Sequence, residues 1–328
     1  MLIAAIVGLI FLAELVFQLW LVRFFLPLFE RHLPFNGENG RSDVDAEQIC
    51  FPTTHGLTIR GSLYRHDDHP ALGLIIFCHA FCGSHWSALS YCKGLWDAGF
   101  DILAFDFRNQ GESDGMAHYQ PRHWLTQYEI SDVLAALAFV QQREDLRWLP
   151  VGLFGISRGG GAALAASACT NDIQRVACEG AYSTYSMMEA HYTTRWAKLL
   201  YSDRVANWVP KWHIVLTLSL VRWASQIRNG CRYTNLERWL PRLRNKPVIL
   251  ISGQRDTYVL PKITEDLRQR IGGEPISVWF VPGAKHNKAR PIDPDEYDGR
   301  LVDFFSNMKA ESVQAETAFT EPVRKSTL

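Results

Sequence analysis

The chain has no excess charge of either sign. Lys plus Arg and Asp plus Glu each number 34 in 328 residues, so nothing draws it wholesale to a polyanion, and no nucleic-acid partner is expected. Paired cysteines are also missing. The seven stand singly, at 50, 78, 82, 92, 169, 178 and 231, and an odd count without paired spacing argues against a disulfide framework. Cys78 and Cys92 have apolar neighbours and read as small core residues. Cys78-x3-Cys82 has no second pair of ligands near it, so no metal site is expected. No basic residue precedes the first apolar run, and residues 23–35 offer no small-x-small cleavage pattern. A cleaved signal peptide is therefore disfavoured. What remains, 47% hydrophobic and 21% charged, has room for one large core.

Residues 1–22 are apolar apart from Glu14 and Gln18. As a helix rising ~1.5 Å per residue they reach across a bilayer core of about 30 Å. Pro27 discourages helix continuation. Glu14 is costly in lipid, by about 2–4 kcal/mol if charged. It shares a helix face with Gln18, four residues on, and that face either meets a partner helix or holds a protonated carboxyl. Arg23, Arg31 and Arg41 follow the run, so the positive-inside rule favours a cytoplasmic body. Unpaired cysteines suit the same side. Asn36 to Asp43 is rich in Gly and Asn and has no apolar period.

Strand and helix signals then alternate. Leu57–Arg65 has the alternation of an edge strand. Leu72–Cys78, Phe100–Phe105, 150–155, 174–180, Pro247–Ser252 and 275–281 read as buried strands. Helical spacing covers 84–98, 124–141, 158–169, 262–271 and 296–308. This implies an α/β fold with a mostly parallel sheet and helices on both faces.

At the centre stands Gly155-Ile156-Ser157-Arg158-Gly159, between a strand and a small-residue helix. A serine pushed clear of a sheet on a strained turn needs glycine at both flanks, so Gly155 and Gly159 read as structural support. A nucleophilic hydroxyl also needs a base, a group to orient that base, and donors for the oxyanion. Asp256 and His286 lie in loops after successive strands, where an open sheet projects functional groups.

The order Ser157, Asp256, His286 on this turn resembles the α/β-hydrolase family over about residues 50–308. The resemblance implies Ser157 as nucleophile, His286 as general base and Asp256 as its orienting acid. The family's His-Gly-x-x-Gly loop is matched by His79-Ala80-Phe81-Cys82-Gly83. By position, the backbone N–H groups of Phe81 and Arg158 would form the oxyanion hole, with His79 bracing the loop. Ala80 departs from the family's Gly. A second landmark appears as Asp106-Phe107-Arg108-Asn109-Gln110-Gly111-Glu112-Ser113 and reads as loop structure. No cofactor or metal is implied. Arg158 is a cation at the start of a helix, where the dipole disfavours it. It needs a carboxylate, Glu179 or Glu112, or a negative group on the substrate.

The resulting organisation is an anchor helix at 1–28, a linker at 29–50, a hydrolase core at 51–185 and 246–308, a cap insertion at 186–245 and a disordered tail at 309–328. The insertion is basic, with acids only at Glu189, Asp203 and Glu237, and carries Trp196, Trp208, Trp212, Trp223 and Trp239. Such a segment suits a membrane surface or an anionic acyl substrate, or is a solvated helical cap. The expected activity is cleavage of a carboxylic ester or thioester with a lipid-like acyl group at a membrane. Amide-cleaving relatives and a catalytically silent binding fold are the alternatives. Oligomeric state is open.

Overall fold

The computed structural model describes residues 1–31, 44–66, 69–191, 209–274 and 276–319, with side chains described to 308 apart from that of Lys211. Eight strands form one sheet in the order β1-β2-β4-β3-β5-β6-β7-β8. They are β1 (Glu47–Pro52), β2 (Thr58–Tyr64), β3 (Leu74–Cys78), β4 (Asp101–Phe105), β5 (Val151–Ile156), β6 (Ile173–Glu179), β7 (Val248–Gly253) and β8 (Ile276–Val281). β1 and β2 pair antiparallel, as do β2 and β4, and every other pairing is parallel. The central strands β3, β4, β5 and β7 are buried at every residue, because helices cover both faces.

On one face α3 (Gln127–Gln142), α4 (Arg158–Ser167) and α7 (Pro261–Ile271) close a core that includes Leu74, Ile76, Leu103, Leu153 and Leu250. On the other, α2 (Ala88–Asp97) and α9 (Pro294–Phe319) pack over Ile75, Phe77, Phe154 and Ile251. Between β6 and β7 the described residues form α5 (Thr184–His191), α6 (Lys211–Asn229) and two short 3₁₀ turns. α8 (Ala289–Ile292) is a single turn before α9.

Three boundaries differ from those read in the sequence. α1 runs Leu2–Glu30, straight through Pro27. Proline in a helix interior costs about 3 kcal/mol. Here burial of Phe25 and Phe29 on either side of it, and of Glu30 against α6, offsets that cost. The body starts within the stretch assigned to the linker, because Ile49 and Phe51 alternate inward from β1. The helix at the C-terminus extends to Phe319, into the stretch expected to be disordered. Residues 309–319 hold no Gly or Pro and are rich in Ala and Glu, so intrinsic propensity carries the backbone on. Residues 32–43, 192–208 and 320–328, with most of the linker and part of the insertion, lie outside the described residues.

Candidate active site

Ser157 sits between the end of β5 and the first turn of α4 with φ 55° and ψ −116°. A non-glycine residue rarely occupies this region, and holding it there costs on the order of 1–3 kcal/mol. The flanks show what maintains it. A Cβ on Gly155 would lie 2.5 Å from the Gly159 carbonyl oxygen, and one on Gly159 would lie 2.2 Å from that of Cys78. The second contact also shows that α4 begins against the end of β3, beside the loop that carries His79 and Phe81.

The loop after β8 brings His286 to the serine. Ser157 Oγ and His286 Nε2 are 2.9 Å apart, and His286 Nδ1 is 2.7 Å from Asp256 Oδ2. An ionised carboxylate only accepts, so Nδ1 carries the proton and Nε2 is left to accept from the hydroxyl. The other oxygen of Asp256 accepts from the N–H groups of Tyr258 and Val259, both at 2.8 Å. Asp256 therefore fixes its own loop and the imidazole together. It does not cap α7, whose N-cap is Leu260. All three side chains are nearly enclosed, with Ser157 at 5% exposure and Asp256 at 2%. Enclosure strengthens their electrostatic interactions.

A second buried acid, Glu179 at the end of β6, is held elsewhere. It accepts from Ala289 N–H at 2.9 Å and the Tyr297 hydroxyl at 2.7 Å. Burial pushes its carboxyl above the ordinary range.

His79 is fully buried. It donates from Nδ1 to Ala80 O at 2.6 Å, while Nε2 accepts from Phe107 N–H at 3.2 Å. Burial, opposed by Asp106, lowers its imidazole to about 4, so it is neutral at physiological pH and ties the loop after β3 to the end of β4. Burial alone would raise the Asp106 carboxyl, but hydrogen bonds from His85 and Glu112 N–H outweigh it and hold it below the usual range.

Arg158 pairs with a carboxylate other than the two named for it in the sequence. Its side chain is wholly buried, with Nη1 donating to Arg122 O at 2.7 Å and lying 3.5 Å from Glu129 Oε1. Its guanidinium stacks over Phe81 at 4.9 Å and Phe107 at 5.6 Å. The carboxylate that offsets the helix dipole is thus Glu129, and the packed side chain leaves no opening to a substrate anion. Glu129 had a sequence signal of its own. Thr126-x-x-Glu129 is a capping box, and its reciprocal hydrogen bonds are present at the start of α3.

No sequence signal marks the aromatic wall beside the histidine. Tyr258 lies 5.0 Å from the His286 ring, and Tyr182 and His123 lie 6.2 and 6.3 Å from Tyr258. These residues come from three separate loops, and no spacing pattern links them. His191 Nε2 lies 2.9 Å from Tyr258 O. Among the described residues no cluster of His, Cys, Asp and Glu has the makings of a metal site. What the arrangement can do chemically is deprotonate a hydroxyl on a strained turn at a helix N-terminus.

Residues 73–214 match the family described as alpha/beta hydrolase fold. An Escherichia coli 31.7 kDa protein from the traX–finO intergenic region is 33% identical over 111 residues, 34% of this chain and 35% of its own length. The thiohydrolase aneE of Aspergillus aculeatus is 32% identical over 127 residues, 37% of this chain and 36% of its own. The chain thus spans about a third of the length of these curated relatives. A Pyrococcus furiosus esterase shares the fold with a TM-score of 0.60 and 20% identity, over 84% of this chain and all of that one.

Proposed function

The chain belongs to the α/β-hydrolase superfamily, and from that premise we propose that it is a serine hydrolase of carboxylic esters or thioesters, held at a membrane by α1. The observation that carries the reading is the unbroken hydrogen-bond chain from Ser157 Oγ through His286 to Asp256, at 2.9 and 2.7 Å. In this mechanism Nε2 of His286 takes the hydroxyl proton as Oγ attacks the acyl carbonyl. Asp256 keeps the imidazole in the required tautomer and stabilises the imidazolium that forms. Backbone N–H groups of Phe81 and Arg158 receive the oxyanion, helped by the N-terminal dipole of α4. The imidazolium then protonates the leaving alkoxide or thiolate. Water, deprotonated by the same nitrogen, releases the acid.

The thiohydrolase and the esterase among its likenesses support an acyl substrate. Enclosure of the site among Tyr258, Tyr182 and Trp124 suits an apolar acyl group. α1 is long and apolar enough to cross a membrane, which supports an anchor and a lipid-like acyl donor, and the basic residues that follow it favour a cytoplasmic body. The described part of the insertion, which includes α5 and α6, is the part we assign as the cap.

A fluorophosphonate probe tests the reading. The full chain is expected to label at Ser157, and Ser157→Ala abolishes the label while the variant keeps its circular dichroism. Unlabelled native-like protein would favour a silent binding fold. A panel of esters, thioesters and amides of graded chain length then ranks the substrates.

A further inference from the structure

The face carrying Glu14 and Gln18 does meet a partner helix, and it is α6 of the same chain. The two helices run parallel with a constant register. Glu14 Oε1 lies 2.9 Å from His213 Nδ1, Thr217 donates to Gln18 at 2.9 Å, and Asn229 donates to Glu30 at 2.8 Å, each pair 199 positions apart. Every fourth residue of α6 is buried in this seam: His213, Thr217, Val221, Ser225 and Asn229. Most of them are polar, and their partners are on α1.

The outer surfaces are the reverse. Trp212, Val215, Leu216, Trp223 and Ile227 of α6 are exposed, and α1 exposes large apolar residues all round as far as Trp20. A helix pair built for water turns its apolar stripe inward. Polar groups satisfied against each other inside, with apolar side chains outside, is what hydrocarbon solvent requires.

We propose that α6 shares the lipid with α1, its outer face touching acyl chains, so that the two helices enter the bilayer as one unit. The register also locates the boundary. It sets Arg222 level with Arg23, with exposed Trp20 and Trp223 within one turn of that level. Basic and tryptophan side chains at one height mark a membrane–water interface. From there α1 reaches about 30 Å to Leu2, enough to cross, and α6 about 15 Å to Lys211, enough to enter only. The inference rests on α1 being an anchor and adds what the cap insertion does there. At its other end the seam joins the site. Phe29 stacks on Trp124 at 4.6 Å, Trp124 meets Tyr182 at 6.4 Å, and Tyr182 meets Tyr258 beside His286. A lipid acyl group leaving the bilayer along α6 arrives at this aromatic cluster.

The test uses the full chain in phosphatidylcholine–phosphatidylglycerol vesicles containing a phospholipid with a diazirine on its acyl chain. After irradiation, adducts are mapped by mass spectrometry. The expected result is adducts on Val215 and Leu216 as well as on Leu12 and Val16, and their loss from α6 alone when Val215 and Leu216 are both replaced by Asp. Adducts confined to α1 overturn the inference and leave the anchor standing. Adducts on neither helix overturn both. Cross-linking of two chains through Trp212 and Trp223, without lipid adducts on α6, overturns it in favour of a second copy as the occupant.

Discussion

In the hydrolase body, apolar residues such as Ile76, Leu103, Phe154 and Leu250 are buried, and buried polar groups such as Asp256, His286 and His79 serve Ser157 or brace a loop beside it. In the α1–α6 pair the buried positions include Gln18, Thr217, Ser225 and Asn229 alongside Leu21 and Val221, while Leu12, Val16, Trp20, Val215, Leu216 and Trp223 are exposed. One chain thus carries two opposite polarity patterns. The difference teaches that burial takes its meaning from the surrounding solvent. In water a buried polar group is an exception that needs a reason, such as catalysis or the bracing of a loop. In hydrocarbon a polar seam between helices is the ordinary solution.

Substitutions that break polar contacts in each region sharpen the contrast. The largest effect belongs to the triad. Asp256→Asn is expected to lower kcat by about 10⁴ with little change in folding, since it imposes the wrong imidazole tautomer; steady-state ester hydrolysis reads it. Next is Glu129→Gln, which leaves the buried Arg158 guanidinium without its carboxylate and is expected to cost about 3–5 kcal/mol in denaturant unfolding.

A pH effect follows from His79. Its imidazole sits at about 4 in the fold against an ordinary 6.5, so between these values the unfolded chain binds more protons. Stability is therefore full above pH 6.5 and falls as pH drops towards 4, by about 3 kcal/mol from this group. Denaturation midpoints at pH 6.5 and 4.5 should move apart less in His79→Asn than in the unaltered protein. The smallest effect belongs to the seam. Gln18→Leu removes the acceptor for Thr217 and is expected to cost only about 0.6–1 kcal/mol in a bilayer, where such hydrogen bonds are weak on balance. If it matched the Glu129 variant in cost, the seam would be behaving as a water-soluble core.

How much of this could be read from the chain depended on range. The parallel sheet was legible because each buried strand is a continuous apolar run, and Gly155 and Gly159 stand out because only glycine fits a turn that tight. β1 was hidden because Glu47, Gln48 and Cys50 point outward, so half its residues look like linker. Pro27 misled because its local penalty is outweighed by packing of Phe29 on Trp124, a contact 95 positions away that no local pattern encodes. Glu14 and Gln18 announced a face with a partner, but the partner lies 199 positions on. The carboxylate serving Arg158 was missed for the same reason. Glu129 belongs to another helix, and its capping box explains its burial without pointing to the arginine.

The measurement that tests the central claim most directly is rapid-quench mass spectrometry of the full chain with an activated short-chain ester. The expected result is a transient increase of one acyl group, mapped to Ser157 and accumulating faster than it decays. Steady hydrolysis with an acyl group found on another residue, or undiminished turnover by Ser157→Ala, would contradict it.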